Sequence, residues 1–203
     1  MKTNFHIESY CSIKENKVIL NGDLIVKIDV KTYSEFIKHA YKAIDIKYPK
    51  FFKMDNLSKL AFVAAEVLLG KEPTNENKNI AIVFSNKASS LDTDRMHQET
   101  INSPEYYYPS PAIFVYTLPN ICMGEISIKH KLLTENSFFI FNHFNAYYLH
   151  AYTNSLLQNK KTEKVLCGWI NYDGEDYEAF VYLVSQKGYW QHTTEEITRL
   201  YTI

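Results

Sequence analysis

The stretch SFFIFNHFNAYYLHAYTNSLL, Ser137 to Leu157, decides how this chain folds. It begins as an almost wholly apolar strand, breaks at Asn142-His143, and resumes as a helix crowded with Tyr and Leu. A strand that turns this sharply into a helix is where many enzymes present a nucleophile, since a helix N-terminus favours developing negative charge. This turn carries no reactive nucleophile.

The surrounding elements fit a layered fold. Upstream, Asn79 to Ser85 (NIAIVFS) is a short apolar run bounded by polar residues, the pattern of a strand covered on both faces. Before it, Asp55 or Asn56 caps a helix that is apolar nearly all round, LAFVAAEVLL, with Gly70 placed to end it. Thr32-Tyr33-Ser34-Glu35 is a capping box, after which Tyr33, Phe36, Ile37, Ala40, Tyr41 and Ile44 share one helical face. Phe5 to Ile13 alternates as a strand, and Val18 to Val26 forms a hairpin closed at Asn21-Gly22. A polar loop is expected through Asp92, Asp94 and Glu99 to the turn-rich SPEYYYPSP, then a helical segment after Pro119-Asn120. Downstream lie the strand Val165 to Ile170, a tight Asp173-Gly174 turn and a last strand, YEAFVYLV. Strand and helix alternate and close on a strand pair, which predicts an α/β chain with a mostly parallel sheet and helices on both faces. At 203 residues this is one domain, 1–203.

Composition excludes several classes. Lysine plus arginine (22) balances aspartate plus glutamate (23), so no strong field of one sign drives binding to nucleic acid or an anionic membrane. The longest apolar run, Leu60 to Leu69, contains Glu66 and is shorter than the roughly 20 residues a membrane span requires. The start has no secretory hydrophobic region, and a cytoplasmic protein is expected. Cys11, Cys122 and Cys167 fit neither a disulfide framework nor a zinc site and read as core residues. His143 and His150 could share a helix face, but no carboxylate stands beside them, so no metal and no cofactor is expected.

Three local patterns resemble the beta-ketoacyl synthase family. SPAIFVYTLPNICMGEISIKHKLL is similar to the family segment in which a Pro, an Asn and, four residues on, a Gly precede a helix, here Pro119, Asn120 and Gly124. Where the family has a Gly-Pro turn, this chain has Thr134-Glu135-Asn136, and VLCGWIN resembles the strand ending in a Gly-Gly pair, keeping only Gly168. The similarity covers about Asn56 to Ile170. It implies half of a thiolase-like fold: a five-stranded, mostly parallel sheet with helices on both faces, plus an N-terminal hairpin.

The resemblance also implies what is missing. Counted from Asn120 and from Gly168, the family's nucleophilic cysteine falls on His143, or on Phe144 with a one-residue slip. Attack on a thioester needs an ionisable sulfur at the helix head, and neither residue supplies one. The second half of a full synthase, which brings the paired histidines, would begin where this chain ends. The resemblance therefore points to a pseudoenzyme similar to chain length factors, acting near fatty-acid-like or polyene assembly. In the family the third strand lies at the sheet edge and pairs with its own copy. Here that strand is Phe138, Phe139, Ile140 and Phe141, and with Asn142, Tyr147, Tyr148 and Tyr152 it forms the candidate pocket or interface. Its partner would be a second copy or an active ketosynthase, with an acyl carrier protein as a further candidate. A competing reading makes His143 the base or acyl acceptor of a thioester acyltransferase or hydrolase.

Overall fold

The computed structural model describes residues 4–70 and 79–203. Three strands open the chain: β1 (His6–Lys14), β2 (Lys17–Leu20) and β3 (Asp23–Lys27). Helix α1 (Tyr33–Ala43) and a 3-10 turn (Pro49–Lys53) lead to α2 (Asn56–Leu69), and then to β4 (Ile80–Asn86). Next come α3 (Leu91–Glu99), the short α4 (Pro111–Phe114) with a 3-10 turn (Val115–Thr117), α5 (Ile121–His130) and β5 (Asn136–Ile140). The chain finishes with α6 (Ala146–Gln158), β6 (Lys164–Asp173), β7 (Asp176–Ser185), β8 (Trp190–Gln191) and α7 (Thr194–Thr202).

Local chemistry explains most of these boundaries. Glu15 and Asn16 take positive φ at the β1–β2 turn, and Asn21 and Gly22 do so at the β2–β3 turn, the backbone that twisted two-residue hairpins require. Thr32 caps α1 by accepting from the Glu35 amide, while its hydroxyl donates to the Glu35 carboxylate at 2.9 Å. Asp55 caps α2, its Oδ1 accepting from the Ser58 amide at 2.9 Å. Of the two caps the sequence allowed, the structure uses Asp55.

All strands join one sheet in the order β3-β2-β1-β7-β6-β4-β5, with β8 beside β1. The expectation of five mostly parallel strands is corrected: among the described residues the sheet has eight strands, and only β4–β5 and β4–β6 are parallel. The N-terminal hairpin is not an appendage. β1 pairs antiparallel with β7 from His6–Ser185 to Ile13–Ala179, so the hairpin extends the sheet. Alternating strands and helices reveal β4, β5 and β6, but a pairing across some 170 residues leaves no local periodicity to read.

The two faces are covered differently. On one, α1, α2 and α5 pack against β1, β4, β6 and β7, with Leu60, Phe62, Phe36 and Phe84 fully buried. On the other, α6 and α7 cover Val83, Cys167, Phe180 and Tyr182. All seven residues of β4 are buried, as a strand covered on both faces should be. Asp92, Asp94 and Glu99, expected in a loop, belong to α3. Only Thr93 of α3 is buried, so no apolar stripe betrayed it. It is held instead by polar contacts, Thr93 Oγ1 donating to Asp55 Oδ2 at 3.0 Å and Arg95 pairing with Asp173.

Two glycines separate packing from propensity. A Cβ on Gly168 would lie 2.3 Å from the Phe180 carbonyl oxygen and 2.8 Å from Val181 Cα, because β6 and β7 approach closely there. A Cβ on Gly124 in α5 would meet nothing within 4 Å. Gly168→Ala is expected to destabilise by about 3 kcal/mol through overpacking. Gly124→Ala is expected to stabilise by roughly 0.5–1 kcal/mol through helix propensity. Urea unfolding of the two variants checks the opposite signs.

Candidate functional site

Strand β5 bonds only β4, in register from Ile82–Asn136 to Asn86–Ile140, so its other edge has no strand partner among the described residues. The Phe141 amide donates to the Asn86 carbonyl at 2.9 Å and carries the pairing one step further. Alternation then splits the predicted residues. Phe138 packs toward α2 and α5, whereas Phe139 turns to the α6 side.

There the Phe139 ring lies 4.8 Å from Tyr148 and 5.0 Å from Tyr152, and Phe141 lies 5.1 Å from Tyr148. Ser137 Oγ and Tyr152 OH share a hydrogen bond of 2.8 Å. Edge-to-face pairs of this kind each contribute about 0.5–1.5 kcal/mol beyond burial, so they hold the strand edge and the first turns of α6 as one unit. Beside the unit stand Ile140 and Tyr147, 51% and 72% exposed. The structure thus brings together Phe139, Phe141, Tyr148 and Tyr152, leaves Ile140 and Tyr147 at the surface, and sends Phe138 to the opposite face.

The turn itself is built by its neighbours. Asn145 caps α6, its Oδ1 accepting from the Tyr148 amide at 2.9 Å, so Asn142 is not the cap. Asn142 and His143 are exposed and precede the helix, and His143 therefore shares no helix face with His150. Phe144 is the residue that fixes the turn, its ring 4.2 Å from Tyr201, 5.7 Å from Phe180 and 6.3 Å from Trp169. His143 makes no hydrogen bond among the described residues, and a nucleophile or base needs an orienting partner. The three thiols are no substitute. All are fully buried, and burial pushes each pKa up, that of Cys167 to about 11.

Helix α6 is more fully covered than its sequence implied. Ala146, Leu149, Thr153, Leu156 and Leu157 are buried, and α7, which the sequence did not disclose, packs alongside. What remains open is an outer stripe of Tyr147, Tyr148, Ala151 and Ser155. The sequence also gave no sign of a polar thread beneath α6. Asn154 donates to His150 Nε2 at 2.9 Å and accepts from His192 Nδ1 at 3.0 Å. His150 and Asn154 are one helical turn apart, a readable spacing, but nothing local ties them to His192.

With this geometry in hand, comparisons place the fold. No family model and no curated protein matches the sequence. Solved structures do. The ishigamide ketosynthase/chain length factor superposes with a TM-score of 0.67 at 14% identity, over 90% of this chain and 62% of that one. A ketosynthase in complex with its chain length factor, from Xenorhabdus doucetiae, gives 0.62 at 12% identity, over 98% of this chain and 90% of that one. A type II polyketide acyl-carrier protein in complex with its hexaketide-bound ketosynthase gives 0.57 at 15% identity, over 90% of this chain and 63% of that one. The chain has a ketosynthase-like fold, as its resemblance to ketosynthases and chain length factors implied. It spans less than two thirds of the first and third neighbours but nearly matches the Xenorhabdus chain in length. Among the described residues no single helix is long and apolar enough to cross a membrane.

His192 gives the site a pH signature. It is 5% exposed, and burial, helped by the nearby His150, pushes its pKa from 6.5 down to about 3. Between those values the unfolded chain binds a proton that the folded one refuses, so this contribution to stability is complete above about pH 6.5 and is lost as pH falls toward 3. The urea midpoint is expected to fall between pH 7.5 and pH 4.5, and to fall less in His192→Gln.

Proposed function

We propose that the protein is a non-catalytic ketosynthase-like subunit that pairs through β5 with an active ketosynthase in fatty-acid-like or polyene assembly. The observation that carries this reading is the contrast between the two edges of the sheet. At β3 the register shifts, leaving Ile25 unpaired between Leu24 and Val26, and the strand ends in the charges Asp23 and Lys27. Bulges and charges blunt an edge against pairing. At β5 the register is continuous and the strand, NSFFI, has neither a charge nor a proline. An uncovered, regular apolar edge of this kind recruits a strand, and Ile140 and Tyr147 widen the contact.

The choice of a ketosynthase over a second copy draws support from the Xenorhabdus neighbour, a chain of nearly this length within a ketosynthase and chain length factor complex. An acidic acyl carrier protein finds a complementary face elsewhere: Lys38 and Lys42 are exposed on α1, and Lys53 is exposed beside Phe52, whose ring lies 5.2 Å from Tyr41 of α1. The competing acyltransferase reading has no such support, since His143 lacks any orienting group among the described residues.

Light scattering of the protein alone and mixed with an active ketosynthase from the same organism tests the proposal. One-to-one complex is expected, with at least tenfold weaker assembly after Ile140→Lys combined with Tyr147→Glu, both at exposed positions. A complex indifferent to that pair of changes would refute contact through β5. A homodimer that persists in the presence of ketosynthase would make the partner a second copy. Decarboxylation of a malonyl thioester by the protein alone, lost in His143→Ala, would overturn the non-catalytic reading.

A further inference from the structure

At the end of the sheet remote from β5, a cleft of about 510 Å³ opens between the β2–β3 hairpin, the turn after α1, the C-terminal end of α2, and α5. Its volume lies in the range of small-ligand sites, about 300–1,000 Å³. Leu20, Val26, Ile44, Ile46 and Val67 give it aliphatic walls. Ile25, 43% exposed, forms the lip, and Leu24, 54% exposed, precedes it on the hairpin.

The charges around the cleft are claimed, except for one. Lys47 pairs with Asp45. Glu66 meets His130 Nε2 at 2.6 Å, with both side chains less than a tenth exposed. Lys129 has no carboxylate partner among the described residues, and its ammonium lies 5.7 Å from the centre of the Tyr48 ring. A half-buried cation at the wall of an aliphatic cleft is complementary to an anion that brings its own apolar body.

We propose that this cleft binds an amphiphile with a linear alkyl tail and a carboxylate head, the tail along Val26, Ile46 and Val67 and the head at Lys129. Aliphatic walls suit a flexible alkyl chain better than a planar ring, because the one aromatic face nearby, that of Tyr48, is already taken by Lys129. The site stands on the cleft alone and does not depend on pairing through β5.

Calorimetric titration with dodecanoate, dodecylamine and dodecanol, each below its aggregation concentration, tests it. Dodecanoate is expected to bind at least tenfold more tightly than the other two, and Lys129→Gln to remove that preference. Ala43→Trp, at an exposed position on the cleft wall, is expected to weaken binding of all three by filling the space. Equal affinity for the three probes, no binding of any, or dodecanoate binding unchanged in both variants would overturn the proposal. Assembly with the ketosynthase should be unaltered in these variants, so the two proposals can fail separately.

Discussion

Strand β7 holds the molecule together. It is antiparallel to β6 on one side and to β1 on the other, and it joins the N-terminal meander to the parallel strands. Without β1 against β7, the floor under α1 and α2 loses Cys11, Ile13, Val18 and Val26, all part of one core. The opposite face depends on the same strand. Phe180 and Tyr182 of β7 lie under α6 and α7, and Glu178 ties the layers by accepting from Trp169 Nε1 at 2.7 Å and from Tyr201 OH at 3.0 Å. Such a seam joins residues far apart in sequence, so its closure entropy must be met before the core rewards it, and it is the natural slow step of folding.

How much of this could be read beforehand depended on where each element's stabilisation resides. α1, α2, α5, α6 and strands β4 to β7 declare themselves because caps, turn residues and apolar periodicity are local. α3 does not, because its hold is a set of polar contacts with Asp55 and Asp173 that no hydropathy pattern encodes. β8 escapes because it has two residues, whereas α7 carries a readable cap, Thr193 accepting from the Glu196 amide, but a weak apolar pattern that buries only Ile197 and Leu200. The site divides in the same way. The aromatic run was plain in the sequence, whereas which rings meet was fixed only by the pleat, which sends Phe139 to α6 and Phe138 away.

Helix α7 changes what α6 leaves open. A helix as apolar as α6 looks, in isolation, as though most of its girth awaits another protein. In the structure Leu149, Leu156 and Leu157 are satisfied within the chain, and Tyr201 of α7 closes over Phe144. The apolar surface left open among the described residues is therefore narrow: the outer edge of β5, the side chain of Ile140 and the outer stripe of α6. A narrow site built around backbone hydrogen bonds selects geometry more than greasiness.

The same packing fixes the strand-to-helix turn from within. A turn that presents a nucleophile must keep one side chain exposed and activated, which strains or weakens the fold around it. Here the turn is anchored by Phe144 among Trp169, Phe180 and Tyr201, and the helix is capped by Asn145, so the two positions after His143 contribute to stability. His143, immediately before them, is exposed to solvent. The turn sets the angle at which α6 departs and so aligns Tyr147, 72% exposed, beside the open strand.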